Sequence, residues 1–157
     1  MFNPYLLSEQ PDGTYRFVTD FGVEYIVTFE VSSHALAADY ASAVYEFSFY
    51  NKTDRKLPAD QRVVDTILIA LDALLQDPYV VLLYVCESLD GRQLARKRTF
   101  DSWFKLANRT GHEKVDFAID AAGTMLYASV ILSKQNPERP LLLADFEQTY
   151  QLYQSYK

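Results

Sequence analysis

Tyr79-Val80-Val81-Leu82-Leu83-Tyr84-Val85-Cys86 is an unbroken run of eight apolar residues. A helix crossing a bilayer needs about twenty such residues, and a half-exposed strand alternates apolar with polar positions. A continuous run of this length therefore reads as a strand covered on both faces, in a central place in a sheet. Asp77-Pro78 stands just before it and stops the preceding segment. That segment, Arg62 to Gln76, is apolar on most of its circumference, and Asp60 offers an N-cap after Pro58, so a well-buried helix feeds the strand. Asp65 and Asp72, two helical turns apart, read as its wet stripe.

Working outward, Tyr15–Thr19 and Val23–Val31 form a hairpin around Asp20-Phe21-Gly22, with Val23, Tyr25, Val27, Phe29 and Val31 on one face. Ser32 to Ala43 is a small-residue connection holding His34 and Tyr40, and Val44–Tyr50 follows as a third strand. Beyond the apolar run, Asp90 and Gln93 stand at capping-box spacing, and Phe100, Trp103, Phe104 and Ala107 recur at helical period, which makes Arg92–Ala107 a second helix. Asp90-Gly91 is also a hairpin dipeptide, and on that reading Arg92–Arg98 is an edge strand. Val115, Phe117 and Ile119 alternate, Asp120–Gly123 turns, and Thr124–Leu132 returns. Asn136-Pro137 ends that hairpin, and Phe146, Tyr150 and Tyr153 share one face of a closing helix from about Leu143 to Tyr156. The order β-β-β-α-β-α-β-β-α predicts an α+β fold: a mixed, largely antiparallel sheet of about six strands with helices packed on it. One domain accounts for residues 1–157.

Composition removes several classes of function. The chain is 49% hydrophobic and 23% charged, with twelve Tyr and ten Phe, the profile of a cored, sheet-rich protein. Met1 to Gln10 carry no basic residue and include Pro4, unlike a secretory signal, and the single Cys86 excludes an internal disulfide, so a cytoplasmic location is expected. With His34 and His112 far apart and no second cysteine, no metal is expected, and no cofactor motif is present. Net charge is −6, but Arg92 to Lys114 holds seven basic residues against Asp101 and Glu113, so that segment carries +5 and the remainder −11.

The junction from Cys86 to Gln93 is where chemistry is most readily placed. The carboxyl end of a strand beside a helix start is a common ligand position, because unpaired N–H groups and the helix dipole favour an anion. On a helical wheel Arg92 and Arg96 fall in the arc of Thr99, Phe100, Trp103 and Ala107, whereas Lys97, Arg98 and Lys105 fall outside it. Guanidinium groups on an apolar face require a carboxylate, carbonyls or a bound anion, and Glu87 and Asp90 are the nearest acids in sequence. A structural arginine–carboxylate network and a small-anion or nucleotide site both meet that need. Cys86, following seven apolar residues, reads as a core residue rather than a nucleophile, and His112, after Thr110-Gly111, as a solvated loop residue.

Three stretches together resemble a small bacterial domain family of unknown function. They are Tyr15-Arg16-Phe17 with Thr19-Asp20 and Gly22, then Tyr84-Val85-Cys86-Glu87-Ser88-Leu89-Asp90-Gly91-Arg92-Gln93 leading to Arg96, Phe100 and Trp103-Phe104, and finally Tyr127-Ala128-Ser129 before Asn136-Pro137. The resemblance implies a bacterial cytoplasmic protein and carries no catalytic residue. The residues lack a complete set of acid, base and nucleophile, so the expected function is a non-enzymatic binding or protein-interaction domain, with a protein partner or a second copy. A small anion or nucleotide ligand at Glu87, Asp90, Arg92 and Arg96 is the alternative, and nucleic-acid binding through residues 92–114, with Trp103 or Phe104 stacking on bases, is the third.

Overall fold

A computed structural model describes residues 2–31, 42–53, 59–86, 93–107, 111–121 and 123–155. Within them run β1 (Ser8–Glu9), β2 (Tyr15–Val18), β3 (Glu24–Val31), β4 (Ala43–Asn51), α1 (Gln61–Leu75), β5 (Val80–Cys86), α2 (Gln93–Ala107), β6 (His112–Ala121), β7 (Thr124–Ser133) and α3 (Arg139–Ser155). The seven strands form one sheet in the order β1-β2-β3-β4-β5-β7-β6. Only β4 and β5 are parallel among these pairings, with Phe47 opposite Tyr84. The fold is therefore α+β with a mixed, largely antiparallel sheet, and β1 is a strand beyond the six expected. At two residues, it is too short to show a period.

From Val80 to Tyr84 the apolar run is covered on both faces, while Tyr79 and Val85 toward its ends are exposed. Val80, Leu82 and Tyr84 join Phe17, Val27, Phe47 and Ile131 beneath Val63, Ile67, Leu71 and Leu75 of α1 and Phe100 of α2. Val81 and Leu83 point the other way and, with Ala128, Val130 and Leu132, meet Leu142 and Phe146 of α3. Full burial of a side chain of this size stabilises by about 1.5–3 kcal/mol, so β5 anchors both layers. On the α1 and α2 side, Phe47 is the centre of a ring cluster. Its ring centroid lies 5.4 Å from Phe29, 5.7 Å from Phe49, 5.7 Å from Tyr84 and 6.3 Å from Phe100.

Local chemistry sets the element ends. Asp60 caps α1 by accepting the Arg62 N–H at 3.0 Å, as its sequence position indicates. Gly22 takes φ 75° in the β2–β3 turn, where its N–H bonds the Thr19 carbonyl. The closing helix begins at Arg139, four residues before its expected start. Asn136 accounts for the difference: its side chain accepts the Glu138 N–H at 2.8 Å and its carbonyl accepts the Arg139 N–H, and Pro140 fits a first turn that needs no N–H from it. Residues 93–98 are helical, so the edge-strand alternative for Arg92–Arg98 does not hold. Ser32–Ala41, with His34 and Tyr40, lies outside the described residues.

Candidate functional site

Because β4 and β5 run parallel, their carboxyl ends lie at one margin of the sheet, and α2 is the next element after β5. Of the residues expected to bind a ligand there, Glu87, Asp90 and Arg92 lie outside the described residues. Arg96 sits in the first turn of α2, with its side chain likewise outside them, as is that of Cys86. Beside this margin, α2 is seated by aromatic contacts: the Phe100 ring stacks on Tyr84 at 4.3 Å and Trp103 lies 5.0 Å from Phe49. Phe100 and Trp103 thus serve to seat the helix. Thr99, placed on the same arc by the helical wheel, is exposed, so the inward face of α2 is turned toward Lys97 and Asp101.

On that side of α2 lies a charged network the sequence did not place inward. Lys97 donates to Asp101 one helical turn on, at 2.7 Å, and lies 3.7 Å from Asp116 of β6. Lys114 of β6 bonds Asp101 and, at 2.5 Å, Asp116, and Ser129 of β7 donates its hydroxyl to Asp116 at 2.7 Å. The Lys114 side chain is only 9% exposed. Burial works to raise the pKa of Asp101, but the hydrogen bonds and charges of Lys114 and Lys97 outweigh it and hold the carboxyl below its ordinary value. Register explains the gathering: Asp116 faces Ser129 and Lys114 faces Ile131, so alternate β6 residues point under α2. The other set faces α3, where Phe117 meets Phe146.

His112 is not a solvated loop residue. It opens β6, is half-buried, and its Nε2 lies 3.2 Å from the Leu75 carbonyl at the end of α1, where an orphan acceptor needs a donor. Between α1 and α2 a small apolar crevice is lined by Leu68, Leu71, Leu75, Phe100, Trp103, Phe104 and Ile131, with room for about one water. Among the described residues, no three His, Cys, Asp or Glu side chains are grouped to hold a metal ion.

A second polar cluster lies at the opposite end of α1. Asp65 is 5% exposed, and not on a wet stripe, because residues 3–5 cross the first turns of the helix. The Asn3 N–H bonds Asp65 at 2.9 Å, the Tyr5 N–H bonds Thr66 Oγ1 at 2.7 Å, and Arg62 Nε donates to the Asn3 carbonyl at 2.8 Å. The Tyr5 hydroxyl donates to Asp60 at 2.7 Å and its ring stacks on Phe17, with the Arg62 guanidinium 3.9 Å above it. Arg62 also pairs with Asp20 at 2.9 Å. Burial, then the bond to Asp60, raises the Tyr5 pKa, and burial, then the Asp60 charge, raises that of Tyr25. The signals of this cluster in the sequence are the Asp60 cap and the polar pair Asp65-Thr66 in the middle of α1. The partners of that pair are some sixty residues away, beyond the reach of any local pattern.

Among the described residues no helix is long and apolar enough to cross a membrane. Searches of the curated proteins and of the solved structures each found no match. A family model does match, from residue 59, just before the α1 cap, to residue 148 in α3. With more than half of its length covered in this way, the chain belongs to DUF6169, a family of unknown function.

Proposed function

We propose that residues 1–157 form a single non-enzymatic binding domain that acts by protein interaction, with a protein partner or a second copy of the chain. The observation that supports this reading is a set of large apolar side chains left in solvent on the N-terminal segment and around the β2–β3 turn. Phe2 is 56%, Leu6 86%, Val18 41% and Phe21 55% exposed. Arg62 draws the segments carrying Phe2 and Phe21 together, since it bonds Asn3 on one side and Asp20 on the other. Exposed apolar groups rimmed by polar ones are characteristic of interaction surfaces. Sedimentation equilibrium over a wide concentration range tests the self-association arm. The native chain is expected to associate and Phe21→Ser to remain monomeric; a native chain that is monomeric throughout removes the second copy as partner.

A second reading, a small anion or nucleotide held by Glu87, Asp90, Arg92 and Arg96, is favoured by the parallel β4–β5 pair and the start of α2 beyond it. Phosphate or nucleotides should then raise Tm in the native chain but not in Arg96→Ala. Nucleic-acid binding through residues 92–114 is less well supported, because Lys97 and Lys114 are already paired with Asp101 and Asp116. A binding constant that stays flat with salt removes it.

A further inference from the structure

We propose that the first turns of α1 are a receptor for an extended Pro-Tyr peptide segment, and that residues 3–5 are its resident occupant, exchangeable for such a segment in a protein partner. This deepens the interaction reading and rests on it. The receptor recognises main chain: Asp65 and Thr66 accept the N–H groups of positions 3 and 5, and Arg62 donates to the carbonyls of positions 3 and 4, at 2.8 and 3.4 Å. Position 4 suits proline, which has no N–H to satisfy and keeps the preceding residue extended. Position 5 supplies the anchor. The Tyr5 hydroxyl is held between Asp60, which accepts from it, and the Asp20 N–H, which donates to it at 3.3 Å, while its ring fits between Arg62 and Phe17.

The receptor groups are built into the helix. Thr66 is fully buried and Asp65 is 5% exposed, and Gln61 steadies the Asp65 carboxylate from one turn away at 3.2 Å. The occupant is held unevenly: Tyr5 is buried in the core against Phe17, and its neighbours are not. Phe2 and Leu6 on either side of it are exposed, and Asn3 is gripped by its backbone while the residue itself is exposed, so position 3 tolerates substitution. With exposed flanks and one buried side chain as its anchor, the segment is expected to open at a lower cost than the whole domain.

The test uses the full-length Tyr5→Ala chain and a labelled peptide of residues 2–7, Phe-Asn-Pro-Tyr-Leu-Leu, followed by fluorescence anisotropy. Saturable binding is expected, at least about tenfold tighter than to the native chain, whose own segment competes. It should disappear when the peptide tyrosine is replaced by alanine, or when Asp65→Asn is added to the protein. A peptide that does not bind Tyr5→Ala, or binds it equally after Asp65→Asn, overturns the receptor. Should Tyr5→Ala not fold, amide exchange in the native chain decides: Asn3 and Tyr5 amides exchanging at least about tenfold faster than the centre of α1 support exchangeability, and equal protection overturns it. Loss of the receptor leaves the Phe21→Ser sedimentation result standing, so the two readings fail separately.

Discussion

Two helices lie on the same face of the sheet and are fastened to it in different ways. α1 buries a stripe of four aliphatic residues, Val63, Ile67, Leu71 and Leu75, and its polar contacts at the N-terminal end are directed at main chain and at a tyrosine hydroxyl. α2 buries Phe100, half-buries Trp103 and Phe104, and joins β6 through a network of two lysines and two aspartates. Apolar burial is insensitive to salt and to acid, whereas ion pairs respond to both. The same surface thus carries one helix held chiefly by packing and another held in large part by charge.

The largest expected effect is under α1. Ile67→Ala removes a side chain with no exposure and should cost about 2–5 kcal/mol in denaturant unfolding, nearly the same at low and high salt. Lys114→Ala should cost about 1–3 kcal/mol, because it leaves Asp101 and Asp116 short of a counter-charge, and the cost should shrink in high salt. A salt-independent loss at Lys114 would break the comparison. Tyr5→Phe, which removes one hydroxyl bonded to Asp60 and Asp20, should cost about 1 kcal/mol and speed amide exchange at Tyr5 without touching α2. Lys97→Ala should cost only a few tenths of a kcal/mol, about the value of an i,i+4 pair, with the helix content of α2 retained.

Acid and alkali should separate the two helices further. The lowered pKa of Asp101 means that the folded chain favours its charged form. The stability it contributes is present above the ordinary aspartate value of about 4 and is lost as pH falls through the lowered value, so α2 amides should lose protection first in acid. Tyr5 and Tyr25 have raised values, so the folded chain favours their protonated forms. That contribution is present below about pH 10 and is lost as pH rises through the raised values, which should free the N-terminal segment from α1 in alkali. Hydrogen exchange across pH reads both, and simultaneous loosening of the helices at either extreme contradicts the division.

Local patterning made much of this architecture readable. The apolar run at 79–86, the alternation in Val23–Val31 and the Asp60 cap each express a short-range rule, and each stands in the structure within a residue or two. Errors arose where a distant element redefines a surface. Asp65 looks like a wet position on a helical wheel and is buried because Asn3 crosses it; His112 looks like a loop residue and meets the end of α1. Lys97 looks outward-facing and is drawn in by Asp116.

The chain's own order of residues was enough to specify the α+β class, the two-sided burial of the middle of β5 and most element types, though not the helix at residues 93–98 or the two-residue β1, since periodicity and caps depend on neighbours within a few positions. Strand order, the parallel β4–β5 pair, the inward lysines and the Tyr5 anchor belong to the assembled molecule. They join separate elements, 13 positions apart for Lys114 and Asp101 and 55 for Tyr5 and Asp60, and no local pattern states which surfaces will meet when the chain closes on itself.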